Sequence, residues 1–149
     1  GANLESLVNP LAGPYLYGLQ DAPSAAVVDA YVTSLVCVAR ANGIVQSESR
    51  VIAGIAEILG AMPFTVSRAM AGGGDLGAAL AVLAGDSHLV ALLYRDAILV
   101  ARADGVTSAE EEVTLMQIAT QLGVTRAQRE AATAAADLLS QVRQTMTHL

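Results

Sequence analysis

Apolar residues recur at three- and four-residue intervals through most of the chain after residue 23, which is the spacing of one face of an α-helix. In the run that begins near Ser24, Val28 and Tyr31 fall on one side, and the run stops at Asn42-Gly43. An Asn-Gly pair readily takes the left-handed conformation that ends a helix. No stretch alternates polar and apolar residues as a strand does. The pattern predicts an all-α protein of seven to eight helices, beginning near residues 24, 47, 63, 75, 88, 108 and 125.

The two ends of the chain differ in pattern. Within residues 1–23, three prolines together with Gly13 and Gly18 interrupt every apolar run, so this segment is predicted to be an irregular leader before a single domain over 24–149. The last helix opens at Thr125 with T-R-A-Q, the spacing of a capping box. Its buried side is predicted to carry Ala131, Ala135, Leu138, Val142 and Met146.

The chain contains an internal repeat. V-A-R-A-N-G-I at residues 38–44 returns as V-A-R-A-D-G-V at residues 100–106. Each copy continues through a second helix, a Leu-Gly pair and a third helix, so the repeats span about 24–71 and 86–135. Tandem units of this kind predict a bundle of two duplicated three-helix units related by an approximate twofold axis.

Composition narrows the class of protein. Hydrophobic residues make up 54% of the chain and aromatic residues 3%, which suits an aliphatic, Ala-rich helical core. The longest stretch without a charged residue, 6–20, contains two prolines and two glycines, so we expect no transmembrane segment. We also expect no signal peptide, and the single Cys37 fits the reducing conditions of the cytoplasm. The net charge of −6, without a basic stripe, argues against nucleic-acid binding.

The second copy of the repeat carries a family resemblance. Its apolar helix ends in Ala103-Asp104-Gly105, Ser108 and Glu111 open the next helix, and Leu122-Gly123 close it. This order, duplicated along the chain, resembles the tellurite-resistance TerB-like family over about residues 24 to 135. The resemblance implies a non-enzymatic helical module of bacterial stress response and tellurite resistance. It also implies divalent-cation binding by acidic residues and membership of protein assemblies at the membrane periphery.

The resemblance also implies a set of cation ligands. Asp104 and Glu111 stand at the family's acidic positions, and Glu110 and Glu112 continue the acidic run, so these four are the candidate ligands for a cation such as Ca²⁺ or Mg²⁺. The first copy departs from the pattern. Asn42 replaces the Asp there, Ser49 stands where the Glu is expected, and only Glu48 supplies a carboxylate.

The same residues have a purely structural interpretation. Ser108 and Glu111 form a capping-box pair, and glutamates in the first turn of a helix are favoured by its dipole. The alternative to a cation-binding module is therefore a helical domain that binds a protein partner or a second copy of itself without a metal. No nucleophile–base pair or cofactor motif is present in the sequence, so we expect no enzymatic activity.

Asp96 is unusual in the pattern. It falls among Leu92, Leu93 and Leu99, on or beside the apolar stripe of its helix. A buried carboxylate without a partner is costly, so Asp96 needs a partner such as an Arg or else lies at the edge of the stripe. We expect the edge position.

Overall fold

A computed structural model describes residues 23–41, 43–44, 46–72 and 74–147, with side chains up to residue 142. The described residues form seven α-helices and no strand, which confirms the predicted all-α class. Within the same residues, no helix is long and apolar enough to span a membrane. All of the predicted leader except Pro23 lies outside the described residues. The helices are α1 (Ala25–Arg40), α2 (Gln46–Ile58), α3 (Pro63–Gly72), α4 (Leu76–Leu83), α5 (Ser87–Ala101), α6 (Ala109–Leu122) and α7 (Arg126–Thr147).

Polar side chains at the helix starts bind backbone N–H groups that have no partner inside the helix. The Ser24 hydroxyl accepts from the N–H of Val27 at 3.3 Å, which fixes the start of α1. Asp75 and Asp86 cap α4 and α5 in the same way. Such a cap stabilises a helix by about 1 kcal/mol. The helix starts therefore fall close to where the capping residues predict them.

Four glycines in the left-handed conformation mark the two corners and the two Leu-Gly pairs. The backbone angle φ is +79° at Gly43 and Gly60, +91° at Gly105 and +67° at Gly123. A side chain at such an angle is strained, which explains why the repeat keeps glycine at all four places. The same backbone turn therefore occurs at matching points of the two copies.

Helices α1 and α5 occupy the centre of the molecule. Helix α1 packs against α2 and α3, and α5 packs in the same manner against α6 and α7. Contacts between the units also come in pairs, because α2 packs on α5 as α6 packs on α1. The fully buried residues are mainly aliphatic, among them Leu35, Ile52, Leu93 and Ile118. This arrangement is the one that twofold symmetry requires, and superposition of 24–71 on 86–135 stays a prediction.

The buried face of α7 differs from the prediction. Ala132 and Ala136 are buried, whereas Leu138 is 63% exposed and Val142 is 59% exposed. The side chain of Met146 lies outside the described side chains. Because α7 packs chiefly on α5, small alanines face that helix and allow a close approach. The predicted face was wrong because the alanines of this helix form an apolar arc wider than the contact with α5, so apolar spacing alone does not mark the contact side.

Candidate functional site at the second corner

The second corner joins α5 to α6. Helix α5 ends at Ala101, and the chain turns through Gly105 before α6 begins at Ala109. The exposed Asp104 folds back over this turn, where its Oδ1 accepts a hydrogen bond from the N–H of Val106 at 3.1 Å. A side chain that binds the backbone two residues ahead stabilises a tight turn. Asp104 therefore has a structural role, with part of its carboxylate still facing solvent.

Ser108 and Glu111 close the corner on its other side. The Ser108 hydroxyl accepts from the N–H of Glu111 at 3.0 Å, and Oε1 of Glu111 accepts from the N–H of Ser108 at 2.9 Å. This reciprocal pair is the predicted capping box, and it is confirmed. The Glu111 residue is 3% exposed. One of its two carboxylate oxygens is therefore committed to the backbone of the corner.

Glu110 and Glu112 point away from this junction. Both residues are exposed, and neither carboxylate has a hydrogen-bond donor among the described residues. They lie in the first turn of α6, where the helix dipole favours negative charge by about 0.3–1 kcal/mol each. The corner thus combines three exposed carboxylates, those of Asp104, Glu110 and Glu112, with the buried carboxylate of Glu111.

The placement of these carboxylates decides whether the corner is a preformed binding site for the expected cation. Among the described residues, no group of three or more His, Cys, Asp or Glu side chains is placed to hold a metal ion. Ca²⁺ takes six to eight oxygen ligands, so a dedicated site needs several of them gathered beforehand. The corner does not fit a preformed metal centre. A ligand role for Asp104, Glu110, Glu111 and Glu112 stays a prediction.

The first corner matches the second in one respect that the sequence interpretation missed. Asn42 lies outside the described residues, but Glu48 is 2% exposed at the third position of α2, as Glu111 is at the third position of α6. Glu48 is therefore the counterpart of Glu111, and the assignment of Ser49 to that place was wrong. The reason is that the second corner is one residue longer between its glycine and the following helix.

Two arginines, one in each copy of V-A-R-A, tie the corners to the third helix of their unit. Arg40 donates from Nη2 to the carbonyl oxygens of Ala69, at 3.1 Å, and Met70, at 2.5 Å. Its counterpart Arg102 instead donates to the carboxylate of Asp137 on α7. Helix α3 ends at Gly72, so carbonyls in its last turn lack helical donors, whereas α7 continues past Asp137 and uses its own. The repeated arginine was a signal that our sequence analysis did not use.

Asp96 lies in the core and not at its edge. Its side chain is fully buried, and its Oδ2 accepts a hydrogen bond from the Tyr31 hydroxyl at 2.5 Å. Its Oδ1 accepts from Nη2 of Arg95 at 3.1 Å in an ion pair that is largely buried. The predicted edge position was wrong, and the alternative of an Arg partner is what the structure contains. These partners offset the cost of burying the carboxylate.

The whole architecture has a counterpart among solved structures. The crystal structure of a tellurite resistance protein from Nostoc punctiforme is similar to 99% of this chain and to 94% of that chain, with a TM-score of 0.74 and 18% sequence identity. This chain has the fold of a tellurite resistance protein. No protein-family model matches the sequence, and no curated protein matches it. The expected TerB-like fold is thus confirmed from the structural likeness alone.

Proposed function

We propose that this chain is a non-enzymatic TerB-like module that takes part in tellurite resistance or stress response in the cytoplasm, by binding another protein or a second copy of itself. The fold shared with the Nostoc punctiforme tellurite resistance protein supports the biological setting. The mode of action rests on the exposed apolar surface of the second unit. Its corner, in this proposal, is a capped helix junction that holds that surface in place.

The surface that carries the proposal lies chiefly on α7. A helix of 22 residues is about 33 Å long, and α5, with 15 residues, is about 22 Å long, so the end of α7 reaches beyond the helix it packs on. Leu138 and Val142 lie one turn apart in the second half of α7 and are more than half exposed. Exposed apolar side chains that group together are typical of protein-interaction sites. The second unit exposes further large apolar residues, namely Val106, Val113 and Met116.

The non-enzymatic part of the proposal is supported by the state of two nucleophilic side chains in α1. Ser34 is fully buried, and its hydroxyl donates to the carbonyl oxygen of Ala30 at 2.8 Å. Burial raises the pKa of the Cys37 thiol, an effect that nearby Arg40 partly opposes. A thiol with a raised pKa is protonated at neutral pH and is a weak nucleophile. Neither residue is arranged for covalent catalysis.

A second candidate function is weak binding of a divalent cation at the second corner. It is favoured by the exposure of Asp104, Glu110 and Glu112, whose carboxylates retain oxygen atoms without a protein donor among the described residues. Mg²⁺ and Ca²⁺ prefer such oxygen ligands, and a cation held by few carboxylates keeps most of its water. In that case Asn42→Asp, which gives the first corner the acid of the second, would strengthen the response to cations.

A complementation experiment tests the leading proposal. A strain of the host lacking this protein is complemented with wild type or with L138Q/V142Q, and growth is measured with and without tellurite. We expect wild type to restore tolerance and the double variant to fail, although it melts at the wild-type temperature because both positions are exposed. The matched control is M62Q, which changes an exposed apolar residue of the first unit. Full rescue by L138Q/V142Q would refute a role for this surface.

A further inference from the structure

A groove opens where the three helices of the second unit meet. It has a volume of about 540 Å³ and is lined by Tyr94 of α5 and by residues of α7 that include two arginines, Arg126 and Arg129, and two acids, Glu130 and Asp137. Helix α6 borders it, because Nη1 of Arg129 lies 3.9 Å from the sulfur of Met116. Neither Arg129 nor Tyr94 takes part in the capped turn of the second corner or in the exposed apolar surface of α7.

Two hydrogen-bond donors at the groove have no acceptor among the residues that the structure describes. The Nε of Arg129 is buried and has no hydrogen-bond partner among the described residues. The Tyr94 residue is 9% exposed, and its hydroxyl makes no hydrogen bond within the described part of the chain. Buried donors are nearly always paired in folded proteins, because an unpaired one loses its water without compensation. The unpartnered Nε of Arg129 therefore indicates a place for an acceptor from outside the chain, and the Tyr94 hydroxyl can donate a second hydrogen bond to the same ligand.

The acids that line the groove pair with other arginines, so the Arg129 guanidinium can bind an external anion. Arg126 pairs with Glu130 at 3.2 Å, and Asp137 pairs with Arg102. Arg129 makes no ion pair with any described residue. The charge to consider is that of Glu112, which acts on the same tyrosine. Glu112, which has no ion pair among the described residues, is therefore one acid that competes with an external anion, beside the paired Glu130 and Asp137 of the groove lining.

The Tyr94 hydroxyl is in the protonation state that a hydrogen-bond donor needs. Burial raises the pKa of the Tyr94 hydroxyl, Arg129 opposes this rise and Glu112 adds to it. The hydroxyl consequently stays protonated at neutral pH and can donate a hydrogen bond. The guanidinium of an Arg is always charged and presents its N–H groups in a planar fork that matches the oxygens of a carboxylate or phosphate.

The repeat shows that the fold itself does not require these donors. In the first copy, the residue that corresponds to Tyr94 is Val32, and the residue that corresponds to Arg129 is Val66. Val32 is fully buried and Val66 is partly buried against the core. The same positions of a three-helix unit are therefore filled by aliphatic side chains in one copy and by two polar donors in the other. The difference points to a ligand of the second unit alone.

We propose that the groove between α5, α6 and α7 binds an oxyanion, with the Arg129 guanidinium and the Tyr94 hydroxyl donating to its oxygen atoms. Carboxylate and phosphate groups share this chemistry. The guanidinium supplies the charge, and its Nε gains the acceptor that it lacks within the chain. The hydroxyl fixes the position of a second oxygen. Glu112 weakens the binding through repulsion.

The test is a titration followed by nuclear magnetic resonance. Inorganic phosphate or acetate is added at constant ionic strength, so that general screening of charge stays fixed. We expect the Nε–H resonance of Arg129, assigned by its loss in R129K, to shift and saturate with at least one of the two anions. Saturation with phosphate alone identifies a phosphate-type ligand, and saturation with acetate alone identifies a carboxylate.

Variants distinguish binding at this groove from nonspecific electrostatic attraction of anions to the protein. Binding to R129K and Y94F is followed through the backbone amides of the groove. We expect the affinity for the anion to fall roughly tenfold in R129K and roughly threefold in Y94F, because a hydrogen bond from a charged donor is the stronger of the two. E112Q should bind more tightly than wild type. R68Q is the matched control, because Arg68 is an exposed arginine of the first unit paired with Asp29, and it should bind as wild type does. The proposal is overturned if neither anion gives a saturable shift, or if R129K binds as wild type does.

Discussion

The hydroxyl of Tyr31 donates a hydrogen bond of 2.5 Å to the carboxylate of Asp96, and both side chains are fully buried. Tyr31 belongs to α1 of the first unit and Asp96 to α5 of the second. Arg95 holds the other carboxylate oxygen at 3.1 Å. The Asp96 carboxylate in the aliphatic core therefore has hydrogen-bond donors from both halves of the molecule. These contacts fix how α1 and α5 meet.

Removing the Tyr31 hydroxyl is expected to destabilise the protein. Tyr31→Phe keeps the ring in place but removes a donor to a buried carboxylate, so the free energy of unfolding should fall by about 1–3 kcal/mol. Asp96→Ala, which leaves the largely buried Arg95 without this carboxylate, should cost about 3–5 kcal/mol. Urea unfolding of both variants and of Y31F/D96A measures the coupling. Additive effects of the two substitutions would contradict a direct interaction.

The two repeat arginines are expected to differ in importance. Arg40 is partly buried and donates to two carbonyl oxygens, so Arg40→Met should lower the free energy of unfolding by about 1–3 kcal/mol. Arg102 pairs with Asp137 at the surface, and exposed ion pairs contribute at most about 1 kcal/mol, so Arg102→Met should cost less. The pair is a matched comparison, since the substitution and the place in the repeat are the same. Equal losses in urea unfolding would show that the carbonyl contacts of Arg40 are unimportant.

Stability at alkaline pH should depend on Cys37. Its thiol pKa is raised in the folded protein by burial, so the folded state keeps the proton at a pH where the unfolded chain has lost it. The contribution is fully present below the ordinary thiol pKa of about 8.5 and is lost as pH rises through the raised pKa. Between pH of about 8 and 9.5, where tyrosines are still protonated, Cys37→Ser should lose less stability than wild type. If urea unfolding shows that wild type and Cys37→Ser lose the same amount of stability over this pH range, the prediction is wrong.

Local signals account for most of what the sequence predicted correctly. Ser24 and Ser108 bind N–H groups within the next three residues, and Gly123 ends a helix through its own backbone angle. Such features depend on neighbours in the chain, so helix starts and stops could be inferred. The buried face of α7 could not, because its alanines form an apolar arc wider than the contact with α5. The sequence also shows that the second copy is one residue longer between its corner and its Leu-Gly pair, but it does not place the extra residue in the corner.

Polar contacts between distant segments explain the remaining differences. The burial of Asp96 depends on Tyr31, which is 65 residues away in the chain. The groove that contains Tyr94 and Arg129 likewise exists only once α5 and α7 pack together. At the corner, the S-x-x-E spacing was enough to predict the capping box of Ser108 and Glu111. Whether the acids around it form a ligand set depends on three-dimensional placement, which spacing does not determine.

The capping role of Ser108 gives a prediction about the corner itself. Ser108→Ala removes the acceptor for the N–H of Glu111, so the free energy of unfolding should fall by about 1 kcal/mol. Thr125→Ala is a suitable comparison, because Thr125 and Gln128 form the corresponding pair at the start of α7. The loss in Ser108→Ala should be the same with and without divalent cations. A loss that appears only when a cation is present would contradict a pure capping role.

The most direct test of the account is a thermal unfolding titration of the wild-type protein with Ca²⁺ and with Mg²⁺ up to millimolar concentrations, at matched ionic strength, alongside Asp104→Ala. If the second corner is a capped helix junction, neither cation changes the melting temperature of wild type relative to Asp104→Ala. A bound cation at 100 times its Kd would instead stabilise the folded state by about 2.7 kcal/mol. A melting temperature that rises with added cation in wild type, but not in Asp104→Ala, would contradict a purely structural role and establish the corner as a cation site.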